Sequence, residues 1–387
     1  MNGLVIKRVL LLLFLTAVNP GVSGQKSRVV AVFQMIDQAK YDDAKEAIEL
    51  AVWNEKTSRW PRTYYAKALL CQTAYEDGYK NKDIKKTNLY PDQLYVAFGS
   101  YERALELDVR ERLQNSISQK YYLLSNDFRI LGRDHFAKEE YEESLQAFEY
   151  ALLVNTSKLV NVKVDTGLVY NTALAAFESK NWDKAIGYLT GLHEAAHAPA
   201  TSLLLYQALR EKGDTARSEE VLMEAVQRYA YENQVVVYLT NLLVNTDRMD
   251  LAIQVLDEAI DYRPDDYIFW WERGLIYRRM GEREKAVENL KAALELAPDN
   301  PKIYYHLGLI YYNFGIELKE SALKISSNEE YQVAKEQSEV QFREAVKWLE
   351  RSYEMDPLDQ ETISRLYQLY YHLQMKEKEK AMERLLE

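Results

Sequence analysis

The 387-residue sequence holds one cysteine, so it can form no internal disulfide, and packing must carry the fold by itself. Cys71 also lies too far from the N-terminus to carry a lipid anchor there, and its expected role is that of a small buried apolar residue. Only eight prolines and 14 glycines interrupt the chain, too few for a disordered or low-complexity protein, while 47% hydrophobic and 12% aromatic residues supply a large core. No Gly-rich phosphate loop, G-x-S-x-G elbow or paired-cysteine motif is present, so the sequence patterns of nucleotide hydrolysis, serine hydrolysis and thiol redox chemistry are absent.

Long apolar runs are missing too. Val9–Val18 is ten residues, about half of a membrane-spanning helix, and Pro20 follows it. With Lys7 and Arg8 before it and Val22-Ser23-Gly24 behind, the stretch has the order of a secretory leader, expected over residues 1–24 with cleavage before Gln25. The expectation is an exported protein, periplasmic or associated with the bacterial cell envelope, or secreted, with no integral span after cleavage. Without residues 1–24, 47 Lys and Arg stand against 60 Asp and Glu, a net charge of −13, which repels nucleic acid and anionic lipid.

What is present is a period. In Tyr267–Pro298, small Gly274 and Ala286 let two helices approach, Trp270 and Leu290 fill the space between them, Gly281 makes the turn and Pro298 ends the second helix. With Tyr277 and Ala293 added, these spacings resemble the tetratricopeptide repeat, although Arg273 stands where that family usually has Leu. Gly132, Ala173, Tyr206, Thr240, Gly274 and Gly308 share the first-helix site of close approach. Ser144, Ala185, Ser218, Ala252, Ala286 and Ala345 share the second-helix site, each followed four residues later by Phe or Leu. Most steps are 34 residues, with one of 33 and one of 41.

The resemblance implies an all-α fold, a right-handed superhelical α-solenoid of about nine helix pairs over residues 25–387. The frame is regular from Ser125 onward, and two insertions depart from the 34-residue spacing, one before that point and one after it. A polar one near 76–93 is expected as an exposed loop or lengthened helix tips. The other, near 317–342, is expected as two helices extended around Ser326-Ser327-Asn328 into a projecting arm.

Chemistry is sparse. His193-Glu194-x-x-His197 matches the helix-borne zinc-protease motif, in which two histidines one turn apart bind metal and the glutamate activates water. A metzincin third ligand is missing, since Ala200 and Leu203 stand in its place, and a helix end where histidines meet the dipole is the plainer reading. No metal and no cofactor is therefore expected, and zinc-dependent proteolysis through His193 and His197 is the alternative to a non-catalytic role.

The family's first helices line a concave face, and ligands contact mainly the second, fifth, ninth, twelfth and thirteenth residues of each unit. Carried over to the units that start at Ser125, Thr166, Pro199, Asn233, Tyr267 and Pro301, the resemblance assigns Arg129, Arg133, Arg210, Arg278, Arg279 and Lys302 to that groove. Only Glu178 and Glu211 oppose them there. Interspersed are the aromatic Phe136, Tyr170, Phe177, Trp271, Tyr305 and Tyr312, and the amides Gln207, Asn241 and Asn245. Arg, aromatic and amide side chains together make a peptide-recognition surface. The expected function is a non-catalytic interaction scaffold or adaptor binding an extended or helical partner segment of neutral to acidic character. A further alternative is a glycan or cell-wall binder using exposed Tyr and Trp. The Lys and Asn pair by which a chaperone-binding subclass holds a C-terminal carboxylate is incomplete, because Val237 precedes Asn241.

Overall fold

The computed structural model describes residues 24–160, 163 and 165–386; the expected leader falls outside them apart from Gly24. Among the described residues there are nineteen helices, and the chain divides into two compact units at Tyr188/Leu189. Unit 1 holds α1 (Gly24–Asp37), α2 (Tyr41–Trp53), α3 (Pro61–Asn81), the short α4 (Ile84–Thr87), α5 (Gln93–Leu107), α6 (Gln114–Ala137), α7 (Tyr141–Asn155) and α8 (Thr166–Glu178). The division falls inside α9 (Trp182–Glu194). Unit 2 continues with α10 (Pro199–Lys212), α11 (Thr215–Arg228), α12 (Asn233–Asn245), α13 (Met249–Tyr262), α14 (Tyr267–Met280), α15 (Arg283–Leu296), α16 (Pro301–Ala322), α17 (Asn328–Met355), α18 (Gln360–His372) and α19 (Lys376–Leu386). Each unit is an all-α stack of helix pairs.

Glycine sets the spacing within pairs. A Cβ on Gly274 would lie 3.0 Å from Leu290 Cγ, and one on Gly308 only 2.5 Å from Leu349 Cγ. One on Gly132 would meet the Phe148 ring at 2.7 Å, so these three pairs pack at backbone contact. At Gly132 the second helix also bonds the first, Ser144 Oγ donating to the Gly132 carbonyl at 2.8 Å. The turn from first to second helix repeats one left-handed residue: Gly213 and Gly281, but also Ala39, Glu139, Lys180, Asp247 and Gln374, where a side chain costs about 1 kcal/mol more than glycine. Side-chain N-caps start several first helices, with Asp165, Asp266, Asn300 and Asp359 each accepting from a backbone N–H of the first turn.

Two expectations need correction and one is narrowed. The third pair does not start at Ser125: α6 begins at Gln114, its added turns anchored by buried Ile117 and Tyr121. Near 76–93, of the exposed loop and the lengthened helix tip, it is the helix tip that is present: α3 runs on to Asn81, and the segment then folds back on it. A Cβ on Gly78 would lie 2.7 Å from the Thr87 nitrogen, Leu89 and Tyr90 are buried, and Gln93 Nε2 donates to the Cys71 carbonyl at 2.8 Å. The base of the 317–342 arm is core rather than projection. There Gly315 repeats the Gly132 contact, with Phe342 2.6 Å from its built Cβ and Ser338 Oγ donating to its carbonyl at 2.7 Å. His372 of α18 stacks on Phe342 from the other side, ring centroids 5.0 Å apart.

Tyrosines fill much of the core. Tyr101 and Tyr121 are fully buried, and the Tyr101 hydroxyl donates to Gln72 Oε1 at 2.8 Å. Cys71 is buried, and burial pushes its thiol up to about 12, so it packs and does not react. Among the described residues no helix is long and apolar enough to cross a membrane.

Candidate functional site

The fifth, ninth and twelfth residues of a first helix are four and three apart and therefore share one face. In unit 1, where α6 and α8 present this face, Arg129 is already engaged. Its Nη1 lies 2.7 Å from Asp165 Oδ2, the carboxylate that also caps α8. Arg133 is exposed and makes no ion pair among the described residues. Phe136 packs edge-on against Tyr141 at 5.1 Å, and Phe177 against Trp182 at 5.4 Å, while Tyr170 stays half-buried. Beside Arg133 and Phe136 is a cavity of about 210 Å³, completed by Ala137, Phe148, Asn171 and Leu174. Leu174 is the ninth residue of the unit that starts at Thr166 and so a contact position of the family, whereas Asn171, the sixth, lies outside that set; neither was assigned to the groove from the sequence.

In unit 2 the face comes from α10, α12, α14, α16 and α18. Gln207 Nε2 donates to the Tyr238 hydroxyl at 3.3 Å, and Arg210 turns onto Tyr206, donating to its hydroxyl at 3.0 Å. Asn241, Asn245 and Arg279 are exposed and have no side-chain hydrogen bond among the described residues. Lys302 is exposed without an ion pair among the described residues. Trp271 lies 6.1 Å from the His306 ring, and Trp271 Nε1, Arg278 Nε and His306 Nδ1 are buried with no hydrogen-bond partner among the described residues. Burial, helped by the charges of Arg278 and Lys302, pulls the His306 imidazole down to about 4, so this histidine is neutral at physiological pH. Burial also lowers the Arg278 guanidinium. Tyr312 does not belong to an open face. It is buried in the C-terminal core because α18 packs over it, with Gln368 accepting from its hydroxyl at 3.1 Å and Arg365 over its ring. Tyr305 packs against the same core.

The zinc-protease motif does not survive folding. Helix α9 ends at Glu194 and Ala196 takes a left-handed conformation, so His193 and His197 are not one turn apart on a common helix. His193 is buried with both ring nitrogens occupied, Nδ1 2.7 Å from Ser202 Oγ and Nε2 3.2 Å from Glu224. Ser, His and Glu in a row have the composition of a charge relay, but Ser202 is fully buried and no substrate can reach its hydroxyl. Among the described residues no group of three or more His, Cys, Asp or Glu is placed to hold a metal.

Arg273, the departure from the repeat pattern, has its own partners. Its Nε donates to Asn289 Oδ1 at 2.7 Å, its Nη1 pairs with Asp257, and the guanidinium lies over Trp270.

A family profile described as TPR repeat matches residues 274–315, and one described as tetratricopeptide repeat matches residues 131–199 and 239–279. The chain is a tetratricopeptide-repeat protein. No curated protein matches this repeat protein significantly. Among solved structures it is similar to the C-terminal part of a TPR repeat-containing protein of Cytophaga hutchinsonii, at 18% identity over 67% of this chain and 93% of that one, with a TM-score of 0.45. A TPR repeats protein of Bacteroides fragilis matches at 18% identity over 64% of this chain and 98% of that one, TM-score 0.33. MamA of Desulfovibrio magneticus matches at 19% identity over 48% and 96%, TM-score 0.33.

Proposed function

We propose that this tetratricopeptide-repeat protein is a non-catalytic interaction scaffold that holds a neutral to acidic segment of a protein partner on its first-helix face. The supporting observation is a set of cations on that face left without acids, where several arginines elsewhere are held, Arg248 by Glu219, Arg228 by Glu224, Arg273 by Asp257 and Arg283 by Glu317, as Arg129 of the face is by Asp165. Among the described residues Arg279 and Lys302 of unit 2 have no acid, and in the same unit the amides of Asn241 and Asn245 are exposed; in unit 1 Arg133 likewise has none. An acidic net charge makes unpaired cations on one face a steering signal for an anionic partner.

The test places a photo-crosslinker at Asn241 of the full chain in its native cells. Arg279→Glu with Lys302→Glu should cut the partner adduct roughly tenfold while circular dichroism stays unchanged. Adduct at the parental level in the reversed chain would sink the reading. Arg278 is left in place because it is half-buried.

The proposal includes export to the periplasm or cell envelope, supported by the order of Lys7-Arg8, Val9–Val18 and Val22-Ser23-Gly24. The intact mass of native protein should correspond to a chain starting at Gln25; retention of Met1 would overturn that part alone.

A further inference from the structure

The cavity beside Arg133 follows from packing around one glycine. Gly132 lets the Phe148 ring lie directly on α6, a built Cβ meeting that ring at 2.7 Å. One turn along, Phe136 packs on Tyr141 instead of over Phe148, and the next residue, Ala137, is too small to close the gap. Leu174 of α8 forms the far wall, and a volume of about 210 Å³ is left above Phe148. An apolar cavity of about 150 Å³ is enough to take benzene, so this one accepts a single Phe or Leu side chain.

Its rim is polar and unsatisfied. The Arg133 guanidinium is exposed with no acid, although the neighbouring Arg129 and His135 are held by Asp165 at 2.7 Å and Glu140 at 2.6 Å. The Asn171 carboxamide makes no hydrogen bond among the described residues, leaving a donor and an acceptor spaced to suit one peptide unit.

We infer that this cavity is the anchor site for a partner segment in which a Phe or Leu adjoins an Asp or Glu. The apolar side chain enters over Phe148, the carboxylate pairs with Arg133, and the segment's backbone bonds Asn171. This rests on the scaffold reading above and names the chemistry of its ligand. Val9–Val18 of the chain itself is a poorer occupant, because Lys7 and Arg8 would bring like charge to Arg133.

The probe is a blocked hexapeptide, Ac-Ser-Gly-Phe-Glu-Gly-Ser-NH2, added to the full chain carrying ¹³C-labelled leucine methyls. The Leu174 methyls should shift saturably. Replacing the peptide's Phe by Ala, or its Glu by Lys, should weaken binding at least tenfold. Arg133→Glu, an exposed change that the fold tolerates, should invert the preference from the Glu peptide to the Lys peptide. Leu174 methyls that stay still, or a preference that Arg133→Glu leaves unchanged, would overturn the site. If that happens while the Asn241 crosslink remains sensitive to charge reversal, the anchor alone fails and the scaffold reading stands.

Discussion

The two units solve the same packing problem with different tolerances. In unit 2, Gly308 faces Leu349, a branched residue that is fully buried, so the backbone contact has nowhere to relax. In unit 1, Gly132 faces Phe148, whose ring borders a cavity of about 210 Å³. The acids and bases differ as well. Unit 1 buries a carboxyl, Asp127, beside Glu76 and Gln72, whereas unit 2 half-buries a histidine, His306, with its Nδ1 enclosed, near Arg278. A regular repeat frame thus leaves each unit its own weak points, and those are where perturbation separates them.

The largest separation is expected from adding one carbon. Gly308→Ala places a methyl 2.5 Å from Leu349 Cγ and should cost about 2–3 kcal/mol in local stability, as overpacking a tight core does. Gly132→Ala meets the Phe148 ring at 2.7 Å but lets the ring swing into the cavity, and should cost about 1 kcal/mol less. Hydrogen exchange of α16 and α6 amides reads the two sites separately, which matters in a repeat stack that need not unfold in one step. Equal losses would mean that the cavity gives Phe148 no room. Adding Leu349→Ala to Gly308→Ala should recover part of the loss, as expected for neighbours in contact.

The glycine contacts were also the most legible feature of the sequence. Gly132 with Ser144 and Phe148, Gly274 with Ala286 and Leu290, and Gly308 with Ala345 and Leu349 stand in the structure where the period puts them, because close approach demands a residue without a side chain. The period was blind where the signal depends on tertiary contact. Nothing between Gln114 and Ser125 breaks a helix, so the early start of α6 left no mark. Gly315, Ser338 and Phe342 repeat the Gly132 contact outside the 34-residue frame, and Ser338 and Phe342 were read as part of an arm. The left-handed turn at Ala196 carries no glycine to announce it, so an apparent metal motif spanned a helix end. Of the assigned face, Arg129 and Tyr312 are withdrawn by Asp165 and by α18, partners at sequence distances that no repeat pattern predicts.

The smaller separation is in pH response, and its sign differs between the units. Burial, reinforced by the neighbouring Glu76 charge, pushes Asp127 up to about 7, against the pull of Gln72 and Lys120. Below pH 4 this carboxyl is protonated in both folded and unfolded chains. Between pH 4 and 7 only the unfolded chain releases the proton, so unit 1 loses stability as pH rises, and above 7 the loss is complete. His306, held down to about 4, works the other way: from pH 6.5 to 4 only the unfolded chain takes up the proton, so unit 2 loses stability as pH falls. Each effect is on the order of 1–2 kcal/mol after allowance for relaxation around the buried group. Asp127→Asn should therefore slow α6 amide exchange at pH 8, after correction for intrinsic rates, and leave it unchanged at pH 4. His306→Gln should make α16 exchange less acid-sensitive while leaving its rate at pH 8 nearly untouched. If α6 and α16 instead weaken together on acidification in the parent chain, neither buried group governs its unit, and the contrast drawn between the two is wrong.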